Sequence, residues 1–344
     1  MWKSVQKRDR IIWKSGNPYE AGTDKTFSLD TLPQEYTAYG NGDYRINGLE
    51  TEQADGRDTA NLKYEFYEIS KGKYSLKGLP AMFAKEDEAE TLEIVLKDHA
   101  SGLRAHLLYG VFPQLDVITR AVRLENTGTA PVTVKKAMSM EMDYEYRELD
   151  AVHFYGKHNM ERQMERTHLG HGNWSVGSIR GTSSHHHNPF VILCDRHTEE
   201  THGDCYGFAL AYSGNFIFET EVDQVGHTRV EMGINPYHFS WTLENGDIFE
   251  TPEVIMTYSA EGFGKLSRNY HDAYRSNLIR SKYVEQPRPV LVNNWEATYF
   301  DFDADKLYHI AEEAKNIGLD MFVLDDGWFG KRDNALLLSA DLVQ

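Results

Sequence analysis

Two adjacent carboxylates, Asp325 and Asp326, follow an apolar run and precede Gly327 and Trp328 in the phrase FVLDDGWFG. Upstream, Trp295 closes a second apolar run, PVLVNNW. Ionised carboxylates accept charge-assisted hydrogen bonds, and a sugar offers a fan of hydroxyl donors. The C–H face of a sugar ring packs against a rigid flat surface such as indole. Trp295, Asp325, Asp326 and Trp328 are therefore candidate substrate-binding residues for a carbohydrate. A plainer reading stays open: Asp326-Gly327 can be a simple turn, with Asp325 capping a helix.

The elements around these residues decide whether they meet. PVLVNNW reads as a short strand. DFDADKLYHIAEEAKNIG has acidic residues in its first turn, apolar Leu307, Ile310, Ala311, Ala314 and Ile317 at helical spacing, and Gly318 as its stop. LDMFVLDD reads as a second strand, so the segment predicts a parallel βαβ unit of about 35 residues. In such units ligand groups gather at the carboxyl ends of the strands. Trp295 just past the first strand and the aspartates ending the second would share one rim.

Everything before this segment reads as β-structure. β-rich runs recur at Thr91–Asp98, Asp116–Asn126, Pro131–Tyr144 and Tyr206–Val222, separated by turn signals such as Ser213-Gly214-Asn215. In Val117–Leu124 the alternation is imperfect, with Val117, Ile118, Ala121, Val122 and Leu124 among polar residues. Many strands at this spacing predict a large antiparallel sandwich, because stacked sheets bury one face of each strand. From Gly262 the pattern changes to Phe263, Leu266, Tyr270, Ala273, Tyr274 and Leu278, a helical stripe. The fold class is thus mainly β, with a sandwich domain over 1–285, a helical linker at about 262–285, and an α/β segment over 286–344 after Pro287 and Pro289.

Composition narrows the partners. The 344 residues hold 53 Asp plus Glu against 36 Lys plus Arg, a net charge of −17, which disfavours nucleic acid and anionic membranes. No stretch is long and apolar enough to predict a membrane span. No secretory signal is expected, and only Cys194 and Cys205 occur, which fits a reducing cytoplasm. His185-His186-His187 invites a metal reading, but consecutive strand residues diverge, so a structural role is expected. His168 and His171 in HLGHGNW read as part of a loop. GFGK at Gly262 is too short for a phosphate loop, and no zinc spacing or dinucleotide fingerprint is present. No cofactor and no metal are expected.

NNWEATYFDF followed by GLDMFVLDDGWFG resembles the opening of the catalytic barrel in family 36 glycoside hydrolases, the bacterial α-galactosidases. YGNGDYR, GLPAMF, EAETLEIVLKD and RGTSSHHHNPF agree, so the resemblance runs from about residue 10 to Arg332. It implies a β-supersandwich followed by a (β/α)8 TIM barrel, and retaining hydrolysis of terminal α-D-galactosyl units in melibiose- or raffinose-type sugars. It implies that Trp295 packs against galactose and that Asp325 and Asp326 bind its hydroxyls, none of them being the nucleophile. It also implies a homo-oligomeric parent, for which Asp43, Arg45, Arg57 and Asp58 are candidate contacts to a neighbouring subunit; surface ion pairs explain them equally well.

Retaining chemistry needs two carboxyls about 5 Å apart, and neighbouring strand residues point to opposite faces. The family keeps its nucleophile in a lysine-tryptophan-aspartate phrase, which this sequence lacks. From Val290 there are 55 residues, against the roughly 250 of a complete barrel. The expectation is a truncated barrel start whose closing segment, Asn334 to Gln344, is foreign to the family or forms a helix capping the open edge. The polypeptide by itself is expected to be inactive. Two other readings remain: a non-catalytic module for carbohydrate binding or subunit assembly, and a transglycosylating parent of the raffinose or stachyose synthase kind.

Overall fold

A computed structural model describes residues 32–328 other than 86 and 146. The first 31 residues and those from 329 onward, including the closing segment 334–344, lie outside the described residues. The chain divides into two compact units, Met1–Leu278 and Ile279–Gln344. The division falls at the end of a helix, ahead of the proline segment that the sequence suggests.

In chain order the first unit has β1 (Leu49–Gln53), β2 (Leu62–Lys71), β3 (Glu90–Asp98), β4 (Leu103–Phe112), β5 (Val117–Asn126) and β6 (Val132–Tyr144). It continues through β7 (Asp150–Lys157), β8 (Met160–His168), β9 (Gly172–Ser178), β10 (His187–Cys194) and β11 (Cys205–Leu210). The last strands are β12 (Phe216–Val222), β13 (Thr228–Ile234), β14 (Trp241–Leu243), β15 (Ile248–Glu250) and β16 (Val254–Ser259), before helix α1 (Gly262–Asn277). Among the described residues one sheet has six strands, in the order β1-β6-β13-β12-β9 with β14 also on β6. The other has ten, in the order β2-β3-β4-β5-β16-β11-β10-β7-β8 with β15 also on β5.

The sheets face each other across an apolar interior. Phe216, Phe218 and Met232 of the smaller sheet share a buried cluster with Val191, Phe208 and Met256 of the larger. Leu49 and Val134 share a second cluster with Leu107 and Leu124. On the outer face of the larger sheet, Leu266, Tyr270 and Ala273 of α1 pack on Val152, Ile192 and Ile255. This third layer explains the imperfect alternation in β5. Val122 and Leu124 face the sandwich interior, while Val117 lies with the α1 cluster and Ala121 beneath Leu76. A strand covered on both faces has no polar side to display.

The smaller sheet also has a covered outer face, and there the burial is ionic. In β6, Met140 points inward and its neighbour Glu141 outward, where it accepts from the Thr37 backbone N–H and hydroxyl, both at 2.8 Å. Arg229 is fully buried; its guanidinium bonds Asp143 at 2.8 Å through two nitrogens and Asp43 at 2.9 Å. Buried charges persist only when paired and hydrogen-bonded in this way.

The second unit has β17 (Leu291–Asn293), a single turn α2 (Trp295–Thr298), α3 (Ala304–Asn316) and β18 (Met321–Val323). β17 and β18 are parallel, with Leu291, Val292 and Asn293 opposite Met321, Phe322 and Val323. Asp303 caps α3 by accepting the Lys306 N–H at 2.9 Å. Gly318 ends it at φ +88°, the left-handed stop that glycine supplies without steric cost.

Candidate functional site

The parallel register sets the geometry of the rim. With Asn293 opposite Val323, the residues that follow each strand leave the sheet at the same end. Asn294 bridges the two exits: its N–H donates to the Val323 carbonyl at 3.3 Å, and its Oδ1 accepts the Asp325 N–H at 2.9 Å. Its Nδ2 donates to Thr298 Oγ1 at 3.0 Å, and the residue is fully buried. One amide side chain thus fastens the end of β18 to the turn that follows β17.

Asp325 is held at both oxygens. Asn293 Nδ2 donates to Oδ2 at 2.6 Å, and the Asp326 N–H donates to Oδ1 at 2.8 Å. Asn293 uses its other amide atom on the Trp295 N–H, at 2.7 Å. The same asparagine therefore orients the carboxylate and starts the turn that carries the indole. Trp295 is half-buried, wedged edge-on between Tyr299 at 5.4 Å and Phe300 at 4.9 Å between ring centroids. Such perpendicular contacts fix a ring plane.

Asp326 accepts the Gly327 N–H at 2.9 Å, and Gly327 adopts φ +89°. The turn reading of Asp326-Gly327 therefore holds, and it coexists with the meeting of Trp295 and the aspartates at one strand end. Trp328 is 68% exposed. Asn293 and Asn294 were not singled out by residue type. Their signal was two consecutive amides at the carboxyl end of an otherwise apolar strand, where hydrogen-bonding side chains serve a rim and not a core.

The four residues assigned to a neighbouring subunit separate into two pairs. Asp43 and Arg45 are buried inside their own chain, and this corrects their placement as outward contacts. Arg45 grips Asp43 at 2.9 and 2.7 Å, and Asp43 also receives Arg229. Burial raises the Asp43 carboxyl, and the bond to Arg45 with the charge of Arg229 overcomes this to hold it below the usual range. Arg57 and Asp58 are exposed, and Arg57 makes a surface ion pair with Asp55 at 2.8 Å. The histidines also have local partners. His168 bonds Asp150 at 2.9 Å, His171 the Asp223 carbonyl at 2.7 Å, and His186 Ser184 at 3.0 Å.

Comparison with known proteins bears on this arrangement. Residues 6–244 match the glycosyl hydrolase family 36 N-terminal domain, and residues 248–339 match melibiase. The chain belongs to glycosyl hydrolase family 36. The second match extends into the closing segment that the sequence sets apart as foreign. Family 36 relatives include the bifunctional α-galactosidase/sucrose kinase AgaSK of Mediterraneibacter gnavus, 53% identical over 93% of this chain and 34% of that protein. The α-galactosidase AgaA of Geobacillus stearothermophilus is 46% identical over 96% of this chain and 45% of its own length. Among solved structures, the galactosidase domain of AgaSK superposes with a TM-score of 0.87, covering 93% of this chain and 44% of that one. An AgaA variant in complex with stachyose superposes at 0.88, covering 92% and 44%. The chain spans less than half the length of these family 36 relatives, as their N-terminal portion.

Proposed function

We propose that the protein to which this chain belongs hydrolyses terminal α-D-galactosyl residues of raffinose-type sugars, and that Trp295, Asp325, Asp326 and Trp328 hold the galactose ring. The observation that carries this reading is the Asn293–Asp325 clamp at the end of two parallel strands. An oriented carboxylate beside an indole meets the two requirements of a pyranose, acceptors for its hydroxyls and a flat surface for its C–H face. Solved AgaA variants are complexes with stachyose and raffinose, which supports the substrate class.

Asp325 serves in this reading as a hydroxyl acceptor, since each oxygen that takes one N–H donor from the rim keeps a further lone pair. A retaining glycosidase places its two catalytic carboxyls about 5 Å apart; in this reading both come from barrel strands that these 344 residues do not supply. The polypeptide alone then turns nothing over. Incubation of the purified polypeptide with an aryl α-galactoside is expected to release no phenol. Release at the rate of a full-length α-galactosidase would overturn the assignment of catalysis to later strands.

The compartment is read as the cytoplasm. Cys194 and Cys205 face each other across β10 and β11 as free, fully buried thiols, and burial pushes them up to about 11 and about 12. The full-length enzyme is read as a homo-oligomer.

A further inference from the structure

In the sandwich unit, four loops meet at a groove of about 390 Å3, of the size that small-molecule sites take. We propose that this groove binds a neutral oligosaccharide, as a second carbohydrate site built on the sandwich itself. Its platform is aromatic. Trp241, 51% exposed, and Tyr237, 56% exposed, line the same groove.

Both rings stand on backbone that is held in place. Trp241 sits on β14, paired opposite Val134, with Phe249 behind it at 5.6 Å and Phe239 behind Phe249 at 5.7 Å. Tyr237 is fixed by its N–H to Asn235 Oδ1 at 3.0 Å, and the turn is closed by the Phe239 N–H to the Pro236 carbonyl at 3.0 Å. His238, at the tip, adopts φ +53°, a conformation that persists only where its surroundings over-determine it. A third ring, Tyr212, lines the floor; a Cβ at Gly214 would stand 2.5 Å from it, so glycine leaves that ring its place.

The polar lining selects the ligand. Asn215 ties the loops together, its Oδ1 accepting the Gly181 N–H at 2.6 Å and its carbonyl the Asn235 N–H at 3.2 Å. Its Nδ2 donates to none of the described residues. The carboxylate that lines the groove, Glu250, is already compensated by Arg123 at 2.9 Å and the Lys77 N–H at 2.6 Å. Flat aromatics, an amide donor and no charge left to neutralise complement a neutral polyhydroxyl chain, and the net charge of −17 repels anionic polymers.

The site does not depend on the barrel rim, so the test silences that rim with Trp295→Ala. Raffinose titrated into the folded 344-residue Trp295→Ala chain is expected to give saturable binding by calorimetry. Adding Trp241→Ala is expected to weaken it about tenfold or more, as loss of an aromatic anchor does. Trp241→Phe, which keeps a ring and guards against misfolding, is expected to retain most of it. No saturable binding by the folded Trp295→Ala chain, or binding indifferent to Trp241→Ala, would overturn the proposal.

Discussion

At the residue scale the informative side chain is Asn293, which donates to Asp325 and accepts from the turn carrying Trp295. A hydrogen bond to a charged group contributes about 1.5–3 kcal/mol. Asn293→Ala in a catalytically complete enzyme is expected to lower kcat/KM for an aryl α-galactoside about ten- to a hundredfold, with unchanged thermal stability of the sandwich. Steady-state kinetics check this, and an unaltered kcat/KM would remove Asn293 from the site. A second residue-scale expectation concerns Glu231. Burial pushes its carboxyl up to about 8 from an ordinary 4.5, against the pull of Lys136 at 2.9 Å. With its folded value raised, this group contributes stability below pH 4.5 that is lost as pH rises through about 8. Urea titrations at several pH values should therefore show wild type losing stability relative to Glu231→Gln as pH increases through this window. A difference that stays constant would contradict it. That Trp295 and the two aspartates follow neighbouring parallel strands at one end was legible from the strand-helix-strand pattern. The amides were not, because asparagine at a strand end is also an ordinary turn former.

At the element scale, helix α1 was legible from its apolar stripe, which starts at Gly262 as the helix does, but what satisfies its first turn was not. The usual cap is missing: Glu261 makes no side-chain capping bond. Instead, the N–H groups of Gly262, Phe263 and Gly264 donate to the carbonyls of Gly203, Glu199 and Glu200 at 2.9–3.0 Å. A loop distant in sequence thus satisfies the donors that every helix start leaves open, and no local motif can announce that. Gly262 permits it, with φ +76° and a would-be Cβ only 2.2 Å from the Glu199 carbonyl oxygen. Gly262→Ala is expected to destabilise the sandwich by about 1–3 kcal/mol or more, seen as a lower urea midpoint. An unchanged midpoint would mean that the loop, not the glycine, adapts. Strand β6 was legible because its methionines and acids alternate, yet the acids serve a buried ionic layer. That layer also claims Asp43 and Arg45, whose polar letters suggested an exposed contact.

At the scale of the whole molecule, the sandwich and the opening βαβ unit were both readable. Their strands keep local apolar periodicity, and the parallel pair needs only one connecting helix. The order of the ten-stranded sheet was not readable, because β5 pairs with β16 and β10 with β7 across long stretches of sequence. In the function proposed above, residues 291–328 supply the sugar-binding rim and the catalytic carboxyls lie on later strands. The direct measurement uses a chimera in which residues 1–328 replace the matching portion of AgaA, assayed on an aryl α-galactoside with and without Asp325→Asn. The chimera is expected to hydrolyse the substrate, and Asp325→Asn to reduce kcat/KM about a hundredfold while leaving the fold intact. A chimera equally active with Asp325→Asn would contradict the assignment of this rim to galactose.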